Sequence, residues 1–232
     1  MTNKKCLVIG ASGAIGSAVV DEFAQNEFQV WTSSRSVDTN AKQQLQLLGK
    51  SETDRTGVQN APTFDAVVWA QGANLNDNIN DVDDAAFAEL IQANVGFVVS
   101  TMSSLLAAKK ITNGARLCVV SSIWQQAIRS NKLSYSITKS ALSGLVQSAA
   151  LDLADQNILV NAILPGVLDT PMTRSVLSND QIKSVASRTG FARLVTPQEI
   201  AVLCHFVCSE ANTTLTGQSL VADLGFSNVR PV

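Results

Sequence analysis

Cys6-Leu7-Val8-Ile9-Gly10-Ala11-Ser12-Gly13-Ala14-Ile15-Gly16 is the stretch on which the reading of this chain turns. A short apolar run leads into glycines, and an apolar pattern with helical spacing follows. This is the strand–turn–helix context that a dinucleotide fingerprint requires. Gly10 permits the tight turn, Gly13 lets the backbone approach a diphosphate, and Gly16 lets the helix pack on the sheet. The backbone from Ser12 through Gly13, Ala14 and Ile15 to Gly16 opens the helix, where N–H groups without intrahelical partners face an anion. A glycine-rich turn with no ligand is the alternative. The matched periodicity on both flanks favours the binding loop.

Working outward, apolar runs bounded by turn residues predict further strands near Phe28–Ser33, Asp65–Ala70, Arg116–Ser121, Leu159–Leu164 and Ser219–Ala222, with the first over Lys5–Gly10. Helical spacing predicts helices over Ala14–Gln25, Asn40–Leu48, Asp84–Lys109, Ser134–Asp155 and Pro197–Cys208. Strands alternating with helices imply right-handed crossovers and a parallel sheet covered on both faces. No internal repeat or low-complexity segment interrupts the pattern. The region 49–63 is polar where a further strand would be expected. That strand is either short or drawn from Leu45–Leu48, and Asp54 is either a ligand contact or a solvated loop residue.

The 232 residues suit one α/β domain. Apolar content of 46% against 16% charged predicts a sizeable core and surface covered by sister subunits. A net charge near −2, no basic run and 5% aromatics argue against nucleic acid as a partner. No apolar run reaches the ~20 residues that span a bilayer. Met1-Thr2-Asn3-Lys4-Lys5 runs straight into a strand without a signal segment, so a cytoplasmic protein is expected. Cys6, Cys118, Cys204 and Cys208 read as buried free thiols rather than ligands, because the last two lie inside an apolar helical pattern. No metal is expected.

The chemistry concentrates in Ser134-Tyr135-Ser136-Ile137-Thr138-Lys139. Positions i and i+4 share a helix face, so the Lys139 ammonium can lie near the Tyr135 phenol and favour its ionised form. Such a phenol exchanges protons with an alcohol or ketone. Ser122 ends a predicted strand at the carboxyl edge of the sheet, where ligands of open α/β sheets bind. Ser121 reads as the turn residue beside it. The second strand ends Val30-Trp31-Thr32-Ser33-Ser34-Arg35-Ser36, with no acidic residue to bind a ribose 2′-hydroxyl. Arg35 can instead pair with a 2′-phosphate, with Ser34 and Ser36 adding hydroxyls. NADP(H) is therefore the expected cofactor, ahead of NAD(H).

These motifs resemble the short-chain dehydrogenase/reductase family across almost the whole chain, particularly members that reduce 3-oxoacyl carrier-protein thioesters. The landmarks come in order: the glycine turn, Asn94-Val95-Gly96, Val119-Val120-Ser121-Ser122, Tyr135 with Lys139, Asn161-Ala162-Ile163-Leu164-Pro165-Gly166, Thr170-Pro171-Met172 and Thr216-Gly217-Gln218. The resemblance implies a Rossmann-type three-layer α-β-α sandwich with a mostly parallel, doubly wound sheet of about six or seven strands. It implies a catalytic set of Asn94, Ser122, Tyr135 and Lys139, in which Asn94 perturbs its helix and holds a water in a proton relay to Lys139. Lys139 also contacts the nicotinamide ribose. Ala70, Gly72, Pro165, Gly166, Val167 and Thr170 join the glycine loop as cofactor contacts. A substrate lid is expected around 168–195, with Trp124, Met172 and Phe191 either pocket walls or ordinary packing. The reaction implied is hydride transfer between the cofactor and a carbonyl or secondary alcohol, on a 3-oxoacyl thioester or small ketone. Apolar stripes through Phe97, Thr101, Leu105, Ala141, Leu145 and Ala149 imply a homotetramer, with a dimer as fallback. Alternatives are a weakly catalytic dinucleotide-binding regulator, or a relative acting on a pteridine or sugar alcohol.

Three departures stand out. Ala14 occupies the usual place of the second glycine. Trp69-Ala70-Gln71-Gly72 replaces Asn-Asn-Ala-Gly and removes a side-chain tie at the centre of the sheet. Asp223-Leu224-Gly225 replaces Asp-Gly-Gly.

Overall fold

A computed structural model describes residues 4–34, 43–45, 58–170, 173–174 and 177–229. Six parallel strands form one sheet in the order β2-β1-β3-β4-β5-β6. They are β1 Lys5–Ile9, β2 Gln29–Ser33, β3 Phe64–Trp69, β4 Ile111–Val120, β5 Leu159–Pro165 and β6 Ser219–Ala222. The helices between them are α1 Ala14–Gln25, α2 Asp84–Ile91, α3 Phe97–Ala107, α4 Leu133–Asp152, α5 Asn179–Ser187 and α6 Pro197–Cys208. Because alternate side chains of a strand point to opposite faces, β1 and β3 feed two cores. Leu7, Ile9, Val67 and Trp69 meet the long helices α3 and α4. Cys6, Val8, Ala66 and Val68 meet α1 and α6. Burial on both faces is what parallel sheets require, and the fold is the Rossmann-type sandwich.

The helix expected over Asn40–Leu48 is not present in its described part. Gln44 instead bridges Thr32 in parallel fashion, with Thr32 N–H donating to Gln43 O at 2.9 Å and Leu45 N–H to Thr32 O at 2.8 Å. The buried Leu45 side chain anchors this short extension beside β2. The sheet therefore has six strands among the described residues, and Asp54 lies outside them.

The strand expected from Arg116 begins five residues earlier, at Ile111. The strand runs through Asn113 and Gly114, the latter at φ +80°. The register shifts opposite, between Phe64 and Ala66, to absorb it.

The segment expected as one helix over Asp84–Lys109 contains a π turn at Gln92–Gly96, with Asn94 buried in it. This 24-residue run, Asp84–Ala107, contains an 18-residue window of mean hydropathy 1.5 and is by length and composition apolar enough to cross a membrane, contrary to the expectation from sequence. It packs on the sheet: Val98, Thr101, Met102 and Leu105 are buried. Of the residues expected to form the apolar stripes, Thr101 and Leu105 are buried, Phe97, Leu145 and Ala149 pack against the same core, and Ala141 is exposed. The large apolar side chains that are exposed on these helices are Val99, Ile137 and Leu151, 49%, 43% and 78% exposed.

The lid region is also more regular than its polar sequence implies. Helix α5 starts with a capping box between Ser178 and Gln181, which satisfies amides that a helix start leaves without partners.

All four cysteines are buried free thiols. Cys118 and Cys204 approach to 3.8 Å between sulfurs.

Candidate active site

The strand order reverses at β1, whose neighbours β2 and β3 lie on opposite sides. In open α/β sheets the crevice at such a switch point takes the ligand. Gly10 turns there at φ +86°, and its N–H donates to Ser33 O at 2.7 Å. A Cβ on Gly10 would stand 2.6 Å from Gln71 N, and one on Gly16 would stand 2.1 Å from Gly10 O. Both glycines are sterically required. Gly13 is different, since a Cβ there would meet nothing nearer than Gly10 O at 3.4 Å. It is the N-cap of α1, and no side chain caps that end. Ser12, Gly13 and Ala14 are exposed and Ile15 is half-buried. This uncapped amino end beside an open glycine suits an anionic diphosphate.

At the same carboxyl edge, Ser122 leaves β4 and Tyr135 stands in the first turn of α4. The Ser122 hydroxyl accepts Trp124 N–H at 3.3 Å and lies close enough to the Tyr135 phenol to lower its pKa. Ser121 Oγ is buried without a partner, and Ser122 caps the turn Ile123–Gln125, so the turn role expected of Ser121 falls to Ser122. Lys139 lies one turn below, its Nζ 5.6 Å from the centre of the Tyr135 ring. The i, i+4 spacing assigns Lys139 the lowering of that phenol's pKa. In the folded chain burial pushes the phenol up, and the Ser122 hydroxyl is what pulls it down. Burial pushes the Lys139 ammonium down to about 8. The only hydrogen bond it makes among the described residues is a long one, 3.4 Å, to Val120 O.

Asn94 reaches this group from the π turn. Its side chain accepts Ala73 N–H at 2.7 Å and donates to Ala73 O at 3.0 Å and Thr138 Oγ1 at 3.0 Å. A Cβ on Gly72 would stand 3.5 Å from both Asn94 Oδ1 and Lys139 Nζ, an ordinary contact distance, so Gly72 lies directly beside this pair. Ala70 N–H donates to Ile9 O at 2.8 Å, tying it to the end of β1. The missing asparagine tie has a replacement. Trp69, fully buried, donates its indole N–H to Thr101 Oγ1 at 2.8 Å. Gln71, beside it, buries both polar atoms of its side-chain amide with no partner.

The other edge contacts are tied down by backbone. Pro165 ends β5, Gly166 N–H donates to Ala222 O at 2.9 Å, and Val167 O accepts Val195 N–H at 3.3 Å. Thr170 turns its hydroxyl to Thr173, accepting Thr173 N–H at 3.1 Å. Ser34 accepts Gln44 Nε2 at 3.1 Å. Arg35, Ser36 and Met172 lie outside the described residues. Phe191 is 66% exposed, whereas Trp124 is half-buried against Phe226, edge to face at 6.3 Å.

A strap that sequence reasoning missed holds the head of α4. Lys132 is buried, and its Nζ donates to Asn74 Oδ1 and Asn76 Oδ1, each at 2.5 Å. Asp77 accepts Ser134 N–H at 3.0 Å and also the Ser134 hydroxyl. With Asn94 on Ala73, the loop 73–77 is fastened along its length to residues flanking Tyr135. The signal available was Asn74-Leu75-Asn76-Asp77, a cluster of side chains that favour local backbone bonding.

Comparison with known proteins agrees with this architecture. A family model described as enoyl-(acyl carrier protein) reductase matches residues 10–227. An uncharacterized oxidoreductase of Bacillus subtilis, YmfI, is 28% identical over 97% of this chain and 99% of its own. The 3-oxoacyl-[acyl-carrier-protein] reductase FabG of Chlamydia muridarum is 25% identical, with 98% of each chain covered. Among solved structures, a short chain dehydrogenase family protein of Francisella tularensis superposes with a TM-score of 0.87 at 25% identity, covering 97% of this chain and 98% of the other. A point variant of ElxO, with NADPH bound, gives a TM-score of 0.85 at 23% identity, covering 98% and 100%. With the matching model, the parallel sheet and the grouped serine, tyrosine and lysine, the chain belongs to the short-chain dehydrogenase/reductase family of oxidoreductases.

Proposed function

We propose that this chain is an NADP(H)-dependent oxidoreductase that interconverts a carbonyl compound and a secondary alcohol. The observation that carries the reading is the meeting of Ser122, Tyr135 and Lys139 at the sheet's carboxyl edge. The open glycine and uncapped helix end beside them fit a dinucleotide diphosphate. When bound, that cofactor supplies or accepts the hydride. The chain's own residues hold the oxygen and move the proton. Ser122 orients the carbonyl oxygen toward the Tyr135 phenol. Tyr135 gives its proton to that oxygen in reduction and takes it back in oxidation. Lys139, with a value near 8, is protonated at neutral pH and can restore the phenol's proton. Asn94 holds the adjoining loop in register through Ala73.

The absence of an acidic residue after β2, and Arg35 in its place, support NADP(H). A protein of the same fold, a point variant of ElxO, has NADPH bound. A 3-oxoacyl thioester or small ketone is the proposed substrate, in keeping with the name of the Chlamydia relative. Exposed Val99, Ile137 and Leu151 support a homotetramer, or a dimer, built on α3 and α4. The buried free thiols support a cytoplasmic setting.

The test follows NADPH absorbance with a panel of ketones and oxoacyl thioesters. Tyr135→Phe should lower turnover by at least ~10²-fold with NADPH affinity nearly kept. Near-normal turnover in that variant would overturn the mechanism. Arg35→Ala should weaken NADPH but not NADH, and equal affinities in the unaltered protein would overturn the cofactor assignment. Light scattering reads the assembly, and a monomer mass at micromolar concentration refutes it.

A further inference from the structure

Among the described residues, two arginines joined through aromatic rings to the neighbourhood of Ser122 have no partner of opposite charge. Trp124, two residues beyond Ser122, meets Phe226 edge to face at 6.3 Å. The Arg129 guanidinium lies 5.9 Å from the centre of the Trp124 ring, and that of Arg188 lies 4.4 Å from the centre of Phe226. The four side chains form a row, Arg129–Trp124–Phe226–Arg188, drawn from the turn after Ser122, the end of α5 and the segment after β6. Both arginines are exposed.

Their lack of partners is selective. Arg174 pairs with Asp169 at 2.7 Å and Arg193 with Glu199 at 2.6 Å, while Arg116 donates to four backbone carbonyls. Among the described residues, Arg129 and Arg188 make neither an ion pair nor a hydrogen bond. The nearby carboxylates are engaged elsewhere. Asp77 binds Ser134, and Asp223 accepts Gly225 N–H at 2.9 Å and Ser227 N–H at 2.8 Å. Lys132 adds a third cation, 5.3 Å from the centre of the Tyr135 ring, with Asn74 and Asn76 side-chain oxygens as its close partners. Arg129 acts on Lys132 as a like charge and helps lower its pKa. A chain whose net charge is −2 thus gathers positive charge in one neighbourhood.

Stacking fixes a guanidinium over a ring face and leaves its in-plane N–H fork free. That fork matches the paired oxygens of a carboxylate or phosphate. We infer that the carbonyl substrate carries an anionic oxygen group, carboxylate or phosphate, drawn in by the charge of Arg129 and Arg188 while the carbonyl meets Ser122 and Tyr135. This rests on reading the site as a carbonyl reductase.

The experiment measures kcat/KM of the full-length protein with NADPH for three probes: acetoacetate, its neutral methyl ester, and dihydroxyacetone phosphate. At least one anionic probe should exceed the ester by about tenfold or more, the scale of a charge-assisted hydrogen bond, and the advantage should shrink with added salt. The better of the two anions identifies the group. Arg129→Gln and Arg188→Gln should remove that advantage and leave the ester unchanged. A wild-type enzyme that turns over the ester as well as both anions overturns the inference, as do variants that slow ester and anion equally. Calorimetric binding of the better anion to the unaltered protein and to Arg129→Gln gives a readout without turnover. Equal affinity there also overturns it. Failure to reduce any carbonyl, with anion binding still lost in the variants, sinks the functional reading and leaves the anion site standing.

Discussion

Lys139→Met separates what the catalytic lysine does for chemistry from what it costs the fold. Lys139 is 4% exposed, and the 3.4 Å contact with Val120 O is poor compensation for a buried ammonium. Burial lowers it from the ordinary 10.5 to about 8. At ~1.36 kcal/mol per pH unit, that fall corresponds to about 3 kcal/mol against folding. The sign follows from proton counts. Between about 8 and 10.5 the unfolded chain binds more protons than the folded one, so stability rises with pH. The cost is in full force below about 8 and gone above 10.5. Methionine keeps the stem and removes the charge. The ligand-free variant should therefore be more stable than the unaltered protein at pH 7, by up to about 3 kcal/mol. The gap should narrow by about 1.4 kcal/mol per pH unit as pH climbs through the window. Turnover should be lost throughout. Urea unfolding of both proteins at several pH values measures it. A variant less stable than its parent at pH 7, or a gap indifferent to pH, refutes the reasoning.

Gly16→Ala drives a methyl toward Gly10 O, with 2.1 Å available; a loss of at least ~2 kcal/mol is expected, along with NADPH binding, and unchanged melting and affinity would show the close approach to be unnecessary. Trp69→Phe removes the indole donor to Thr101 and should cost about 1–2 kcal/mol, read by urea unfolding, with normal stability counting against the tie. Gln71→Met replaces a buried amide that has no partner and should raise the stability of the ligand-free protein by about 1–3 kcal/mol; destabilisation would mean that the amide is satisfied.

What could be read from sequence was whatever a local pattern determines. Helices α1 and α6 fall on their predicted bounds because the glycine loop marks one start and Thr196, Pro197 and Glu199 mark the other. The sheet and the Ser122–Tyr135–Lys139 group followed from strand alternation, spacing and family resemblance. Elsewhere the local signal pointed the wrong way. Asn113-Gly114 is a turn signature that the sheet holds inside a strand by shifting register. The polar surface of α5 conceals its periodicity, although Ser178 and Gln181 spelled out its cap. The Lys132 strap joins residues 58 and 56 positions apart, and no window along the chain brings them together. The replacement for the absent asparagine was likewise invisible, because Trp69 and Thr101 meet only once α3 lies on the sheet.

The π turn at Gln92–Gly96 has a further consequence, for how this chain can change over evolutionary time. Between buried Leu90 and buried Val98 the chain makes one ordinary turn and one wide one. Losing a single residue there would restore a regular helix, and every later side chain would swing by roughly 100°. Val98, Met102 and Leu105 would leave the core, and Asn94 would lose its place opposite Ala73. Point substitutions along the two halves can be tested by selection one at a time. A change of length cannot, because it disturbs packing and catalytic scaffold together. In related sequences, insertions and deletions should therefore collect in the loops and spare this helix, making its length a more durable mark of descent than its composition.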